Sequence, residues 1–190
     1  MTQPVHTAPQ FEIAEWLPDR PVAGSLDQEI EMLSEILHAV VHGGAGVSFF
    51  VPFSVADARA FWTGKVLGPV RAGTRHVLVA RRNSRIAGTV QLDLATPPNQ
   101  AHRADVLKML VHPSARRLGM ARALMLTLEE VARSKGRSLL TLDTVTGSHA
   151  ETLYRSLGYI EAGVIPRYAR GSLTPELEAA TFFYKELASR

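Results

Sequence analysis

The stretch from Val111 to Ala121, VHPSARRLGMA, constrains this chain more than any other part of its sequence. It follows Ala104 to Val111, a run that reads as a strand with Asp105, Leu107, Met109 and Val111 on one face by the two-residue period. After it, Ala121, Leu124, Met125, Leu128, Val131 and Ala132 recur at the spacing of an amphipathic helix that stops at Gly136. A strand that feeds a helix through such a turn leaves the first helical N–H groups unpaired, beside about half a positive charge at the helix end. That combination binds anions. Gly119 and Ala121 keep side-chain bulk off the backbone, while Arg116 and Arg117 add charge and donors, so the passage suits a pyrophosphate. It is not a P-loop, which needs Gly-Lys-Ser/Thr, nor a dinucleotide fingerprint, which needs three glycines.

Around this turn the pattern predicts an α+β domain with one mixed, mostly antiparallel sheet flanked by helices. At 190 residues the chain supports one domain, residues 11–190, behind a disordered tail at residues 1–10. A strand is expected over Phe11 to Leu17, then a helix from Asp27 to Val41 stopped by Gly43 and Gly44. Ser54, with Asp57 three residues on, marks the N-cap of a helix running through Phe61 and Trp62 toward Lys65. His76 to Ala80 and Ile86 to Leu94 read as a hairpin turning at Asn83 and Ser84. Beyond the central helix come strands at Ser138 to Val145, Tyr159 to Ile165 and Ala180 to Leu187, with a helix over His149 to Leu157.

Composition removes several function classes. Twenty-one basic against 18 acidic residues leave a net charge of +3, too small and too dispersed for a dedicated nucleic-acid binder. The absence of Cys excludes disulfides, thiolate metal sites and a cysteinyl intermediate. No apolar run approaches the roughly 18 residues of a membrane span, and no basic start precedes an apolar stretch, so a cytoplasmic protein without membrane partners is expected. His38 and His42 lie one helical turn apart, but Ala39 stands where a zinc-protease helix carries Glu, and no metal site is assigned. Trp16 and Trp62 read as core, and Arg81, Arg82 and Arg85 as a solvated hairpin-tip cluster. Ser48, in GVSFF, lacks the second glycine of a hydrolase elbow and reads as structural or substrate-lining.

Arg116, Gly119 and Ala121 match the pattern Gln/Arg-x-x-Gly-x-Gly/Ala, and Ala150, Leu153, Tyr154, Gly158 and Tyr159 follow downstream in order. In these motifs the chain resembles the GCN5-related N-acetyltransferase (GNAT) superfamily. Val41 to Ala45, Arg103 to Val111 with Pro113 to Arg116, and Leu142 to Thr144 with Gly147, Ser148, Ala150 and Glu151 are similar to the tabtoxin-resistance branch of that family, a likeness over about residues 25–187. The resemblance implies the GNAT fold with splayed central strands and acetyl-coenzyme A as cosubstrate. Its pyrophosphate would lie on Arg116, Arg117, Leu118, Gly119, Met120, Ala121 and Arg122, and its pantetheine arm along Met109, Leu110 and Val111. Many members carry an Asn where this chain has Gly147.

The resemblance also implies an amine acceptor, with Asp105, Asp143 and Tyr154 as catalytic residues and the Tyr154 hydroxyl facing the cofactor sulfur. An ordinary Asp with a pKa of about 3.9 would need roughly 7 kcal/mol to take a proton from an ammonium some five units weaker. A carboxylate that orients the ammonium while water carries the proton away is the better role. Direct attack in a ternary complex needs no nucleophilic side chain. The expected function is acetyl transfer to a small-molecule amine, including a tabtoxin-like toxin or antibiotic, by a monomer or homodimer. The alternatives are a protein or peptide N-acetyltransferase, with an open groove, and a non-catalytic acyl-coenzyme A sensor.

Overall fold

The computed structural model describes residues 10–22 and 24–188, so nine of the ten positions expected in the tail lie outside it. A seven-stranded sheet runs in the order β1-β2-β3-β4-β5-β7-β6. Its strands are β1 (Glu12–Glu15), β2 (Arg75–Arg82), β3 (Arg85–Asp93), β4 (Arg103–Val111), β5 (Leu139–Val145), β6 (Ile160–Arg170) and β7 (Leu177–Glu186). All neighbours are antiparallel except β4 and β5, as the α+β reading expects. Among the described residues no helix is long and apolar enough to cross a membrane.

Helices cover both faces of the sheet. On one side α1 (Leu26–His42), α2 (Val55–Phe61) and α3 (Leu67–Arg71) pack Leu33, Ile36, Leu37 and Trp62 against Val77, Val79, Ile86 and Leu110. On the other, α4 (Met120–Ser134) and α5 (His149–Ser156) bury Leu124, Met125, Leu128 and Tyr154 against Leu78, Val90, Val106 and Leu140. The capping box at Ser54 and Asp57 forms as expected, and a second one, Ser25 with Gln28, starts α1. The helix after Ser54 does not continue unbroken: Trp62–Val66 is a π-helical turn. Pro69 has no N–H for the carbonyl of Lys65, and Arg75 Nη1 donates to that carbonyl instead at 3.2 Å.

The hairpin between β2 and β3 turns on two left-handed residues, Asn83 (φ 49°) and Ser84 (φ 64°), the geometry of a two-residue primed turn. Trp16 and Trp62 are core, edge to face at 6.4 Å between ring centroids. Arg81 departs from its expected solvated position. Alternation after Ala80 turns it toward α1, where its Nη2 donates to Glu29 at 2.6 Å, and Glu29 also accepts from Trp16 Nε1 at 2.8 Å. The β6–β7 hairpin is longer than expected because β6 is exposed almost throughout, which leaves no apolar alternation to mark its length.

Two features of β4 shape the site. Its ladder with β5 covers only Arg103–Asp105 against Leu139–Thr141, and beyond that rung the strands part. Its pairing with β3 slips between Thr89↔Leu110 and Gln91↔Leu107, so Lys108 and Met109 oppose one residue in a bulge, and Lys108 is left-handed at φ 48°. The bulge corrects the single-face reading. Ala104 and Val106 face α4 before it, Met109 and Val111 face α4 after it, and Asp105 stays on the opposite face.

Candidate active site

Where β4 and β5 part, the sheet opens into a cavity of about 750 Å³. Its walls are Val106–Val111 of β4, Asp143–Val145 of β5, the turn before α4, the loop 43–48 after α1, and the start of α5 with Tyr154. Beyond Asp105 the edge of β4 away from β3 has no partner strand, so those backbone groups between Met109 and Val111 that point to this edge are open to the cavity.

At the α4 end, Arg117 (φ 62°) and Gly119 (φ 80°) are both left-handed and both line the cavity. Side chains plug the N-termini of α1 and α2, but α4 has no side-chain cap. Its first intrahelical bond is from Ala123 N–H to Gly119 C=O at 3.0 Å, so the N–H groups of Met120, Ala121 and Arg122 have no helical acceptor. A Cβ added at Gly119 would meet nothing within 4 Å, and the same holds at Gly147, which also lines the cavity (φ 78°). Arg116, Arg117, Met120, Ala121 and Arg122 line this end, whereas Leu118 packs against the core under α4. The Arg122 guanidinium is engaged with Ser156 Oγ at 2.6 Å, which leaves its backbone N–H as its contribution. Arg116 and Arg117 have no carboxylate partner among the described residues. Open amides, two free guanidinium groups and an absence of Cβ bulk fit the diphosphate of a nucleotide thioester.

The opposite end holds titratable groups. Asp143 faces the open cavity, and enclosure by the cavity walls raises its pKa, against which the Lys108 ammonium acts to lower it. Asp105 does not line the cavity. It sits at the last paired rung, bound to Arg103 and to the hydroxyl of Thr141, and its charge adds to the upward pressure on Asp143. Tyr154 lines the cavity with 6% of its surface exposed, packed on Tyr159 and Phe183 at 5.8 and 6.0 Å. Burial first, then Asp143, pushes its phenol far above its ordinary value of 10.0, so it stays a hydrogen-bond donor. The structure thus brings Asp143 and Tyr154 to one cavity and places Asp105 beneath it.

Lys108 is the residue that sequence reasoning missed, and its charge acts on Asp143. Its Nζ donates to Ser48 Oγ at 3.0 Å and lies 5.7 and 5.9 Å from the ring centroids of Phe49 and Phe61. The available signal was a lysine at the same parity as Ala104 and Val106, the buried positions of the strand. Thr144 and Ser148, with oxygens 3.2 Å apart, also line the cavity. His42 Nε2 lies 2.9 Å from the Phe53 carbonyl, and among the described residues no three His, Asp or Glu side chains cluster to hold a metal ion.

Comparison with known proteins agrees with this geometry. Residues 73–161 match the family model described as an acetyltransferase (GNAT) domain. Over 117 residues the chain is 32% identical to an uncharacterized N-acetyltransferase from the hisH-hisA intergenic region of Azospirillum brasilense, a match spanning 60% of this chain and 67% of that one. The fold superposes on an N-acetyltransferase from Staphylococcus aureus Mu50 with a TM-score of 0.76 at 16% identity, over 94% of this chain and 99% of the other. An acetyltransferase from Salmonella typhimurium, solved with its cofactor acetyl-CoA, gives 0.74 at 17% identity, over 95% and 96%. With its forked central strands, its open α4 turn and the sequence match extending across both, the chain belongs to the GNAT acetyltransferase family.

Proposed function

We propose that the protein transfers the acetyl group of acetyl-coenzyme A to the amine of a small molecule, by direct attack within a ternary complex. The observation that carries the small-molecule reading is the roof over the acceptor end. A Cβ at Gly46 would come within 2.2 Å of Val145 Cγ2, so the loop after α1 lies directly on β5. The Ser172 hydroxyl donates to Ala45 C=O, and Val51 N–H donates to Ser172 C=O at 2.9 Å, tying the loop to the segment between β6 and β7. A roofed pocket admits a compact amine more readily than a polypeptide. The similarity of the segments around Arg103 and Leu142 to tabtoxin-resistance proteins makes a toxin or antibiotic of that kind the specific version.

Bound acetyl-coenzyme A supplies the activated thioester carbonyl. The α4 amides with Arg116 and Arg117 bind the pyrophosphate, and the free edge of β4 at Met109, Leu110 and Val111 orients the pantetheine arm and offers an N–H to the carbonyl oxygen. Loss of one such donor typically costs about 10²- to 10³-fold in rate. Asp143 attracts and orients the ammonium, whose proton leaves through cavity water. Asp105 contributes charge from below. Tyr154 holds its proton at the hydroxyl, ready to donate to the departing sulfur.

Release of free thiol from acetyl-coenzyme A, followed across a panel of small amines and peptides, tests this. Turnover with small amines is expected. Turnover with peptides alone refutes the small-molecule reading, and coenzyme A binding without turnover on any amine refutes transfer.

A further inference from the structure

Two residues across the cavity share an unusual backbone. Ser48 (φ 72°) and Lys108 (φ 48°) are both left-handed, which costs a residue with a side chain about 1–2 kcal/mol, and the 3.0 Å bond from Nζ to Oγ joins them. Such strain concentrates where a side chain must be aimed at a ligand. The other left-handed residues with side chains belong to the β2–β3 turn, the α4 turn and an irregularity in β6.

The Lys108 ammonium is also treated differently from most enclosed cations of this fold; Arg137, which has no carboxylate partner among the described residues either, donates to the carbonyls of Ala101 and Leu94 instead. Arg75, Arg81, Arg103 and Lys185 each hold a carboxylate, from Asp93, Glu29, Asp105 and Glu129 respectively. Lys108 holds none among the described residues, although its Nζ lies over the rings of Phe49 and Phe61. Desolvation accordingly lowers its pKa, which an arriving anion would reverse. Ser48 Oγ accepts from Lys108, which leaves its own proton for a further acceptor. Asp143 faces the same cavity without forming an ion pair with Lys108 among the described residues.

A cation with a spare hydroxyl donor and a separate anion, both turned to one small space, complement a molecule that carries the opposite charges. We propose that the acceptor is an amino acid or a similar amphoteric amine, whose carboxylate is held by Lys108 and Ser48 while its ammonium is held by Asp143. This rests on the reading of the site as a small-molecule N-acetyltransferase and names its substrate class.

The test compares free amino acids with their methyl esters and carboxamides, measuring kcat and KM by thiol release on the full chain. A hydrogen-bonded charge predicts a KM about 10- to 100-fold lower for the free acid. In Lys108→Met that preference disappears through a higher KM for the acid alone, and Lys108→Arg restores part of it, with coenzyme A affinity by calorimetry confirming the folded state. Esters and amides used as well as acids overturn the amphoteric acceptor and leave amine acetylation standing. A drop in kcat for acid and ester alike in Lys108→Met assigns the lysine to proton transfer and also overturns it. No turnover on any amine, with coenzyme A still bound, overturns the transferase reading and this inference together.

Discussion

Replacing Gly119 with Ala, beside the matched change Gly136→Ala, separates backbone strain from anion binding at the two ends of one helix. Both glycines are left-handed, at φ 80° and 70°, and at neither would a new Cβ meet an atom within 4 Å. The folding cost of each is therefore backbone alone, about 1–2 kcal/mol. For a chain of this size, each kcal/mol lowers Tm by about 2–4 °C. The two should be destabilised alike. Only Gly119 lines the cavity, where its Cβ would stand before the unpaired amides of Met120, Ala121 and Arg122. A hydrogen bond to a charged oxygen contributes about 1.5–3 kcal/mol, so closing off one amide should weaken coenzyme A about 10- to 150-fold. Titration calorimetry with coenzyme A, beside urea unfolding, reads both quantities on each variant. Parent-like affinity in Gly119→Ala, or an equal loss in Gly136→Ala, refutes the assignment of the pyrophosphate to this turn.

Further expectations follow from the charged and phenolic groups. Arg116→Ala and Arg117→Ala should each weaken coenzyme A, and the difference from the parent should shrink as salt rises, because a solvent-facing guanidinium is screened; salt-independent losses in a binding titration would contradict this. Tyr154→Phe keeps the ring packed on Tyr159 and Phe183 and should lower kcat with little change in coenzyme A affinity, whereas an unchanged kcat would remove the hydroxyl from the mechanism. Since the Tyr154 pKa is pushed far upward by burial and then by Asp143, the pH profile should show no alkaline limb from this phenol. For Asp143, whose pKa is raised chiefly by enclosure, KM for the amine should climb as pH falls through a value above the ordinary 3.8. Asp143→Asn should abolish that limb. The folded state binds the Asp143 proton more tightly than the unfolded one, so this group's stabilisation is present at low pH and lost as pH rises through its folded pKa. Asp143→Asn should then be no less stable than the parent to urea at neutral pH, while losing activity.

Local patterns carried the parts of the fold that local energetics govern. The Ser54 box, the Asn83-Ser84 turn, the apolar faces of α1 and α4 and the turn from Arg116 to Ala121 depend on spacing of a few residues, which hydrogen bonding and helical periodicity determine without reference to the rest of the chain. The open amides at the start of α4 were legible for that reason. So was the separation of β4 from β5, though only through resemblance to a family and not from any residue pattern.

The acceptor end was not legible, because it depends on which residues meet across the sheet. A one-residue slip against β3 places Lys108 in a bulge and changes the faces of the strand on either side of it. No spacing within β4 announces that slip, since Val90 lies on another strand. Asp105 and Asp143 look alike in sequence, yet the last rung of the ladder gives one to Arg103 and Thr141 and leaves the other open to the cavity. Arg81 likewise became a buried partner of Glu29 only when α1 packed over β2. The chain alone determined where a helix start stands with open amides, because a helix end carries its own N–H groups and dipole; tertiary structure decided which charges face the cavity, because pairing and burial exist only between segments far apart in sequence.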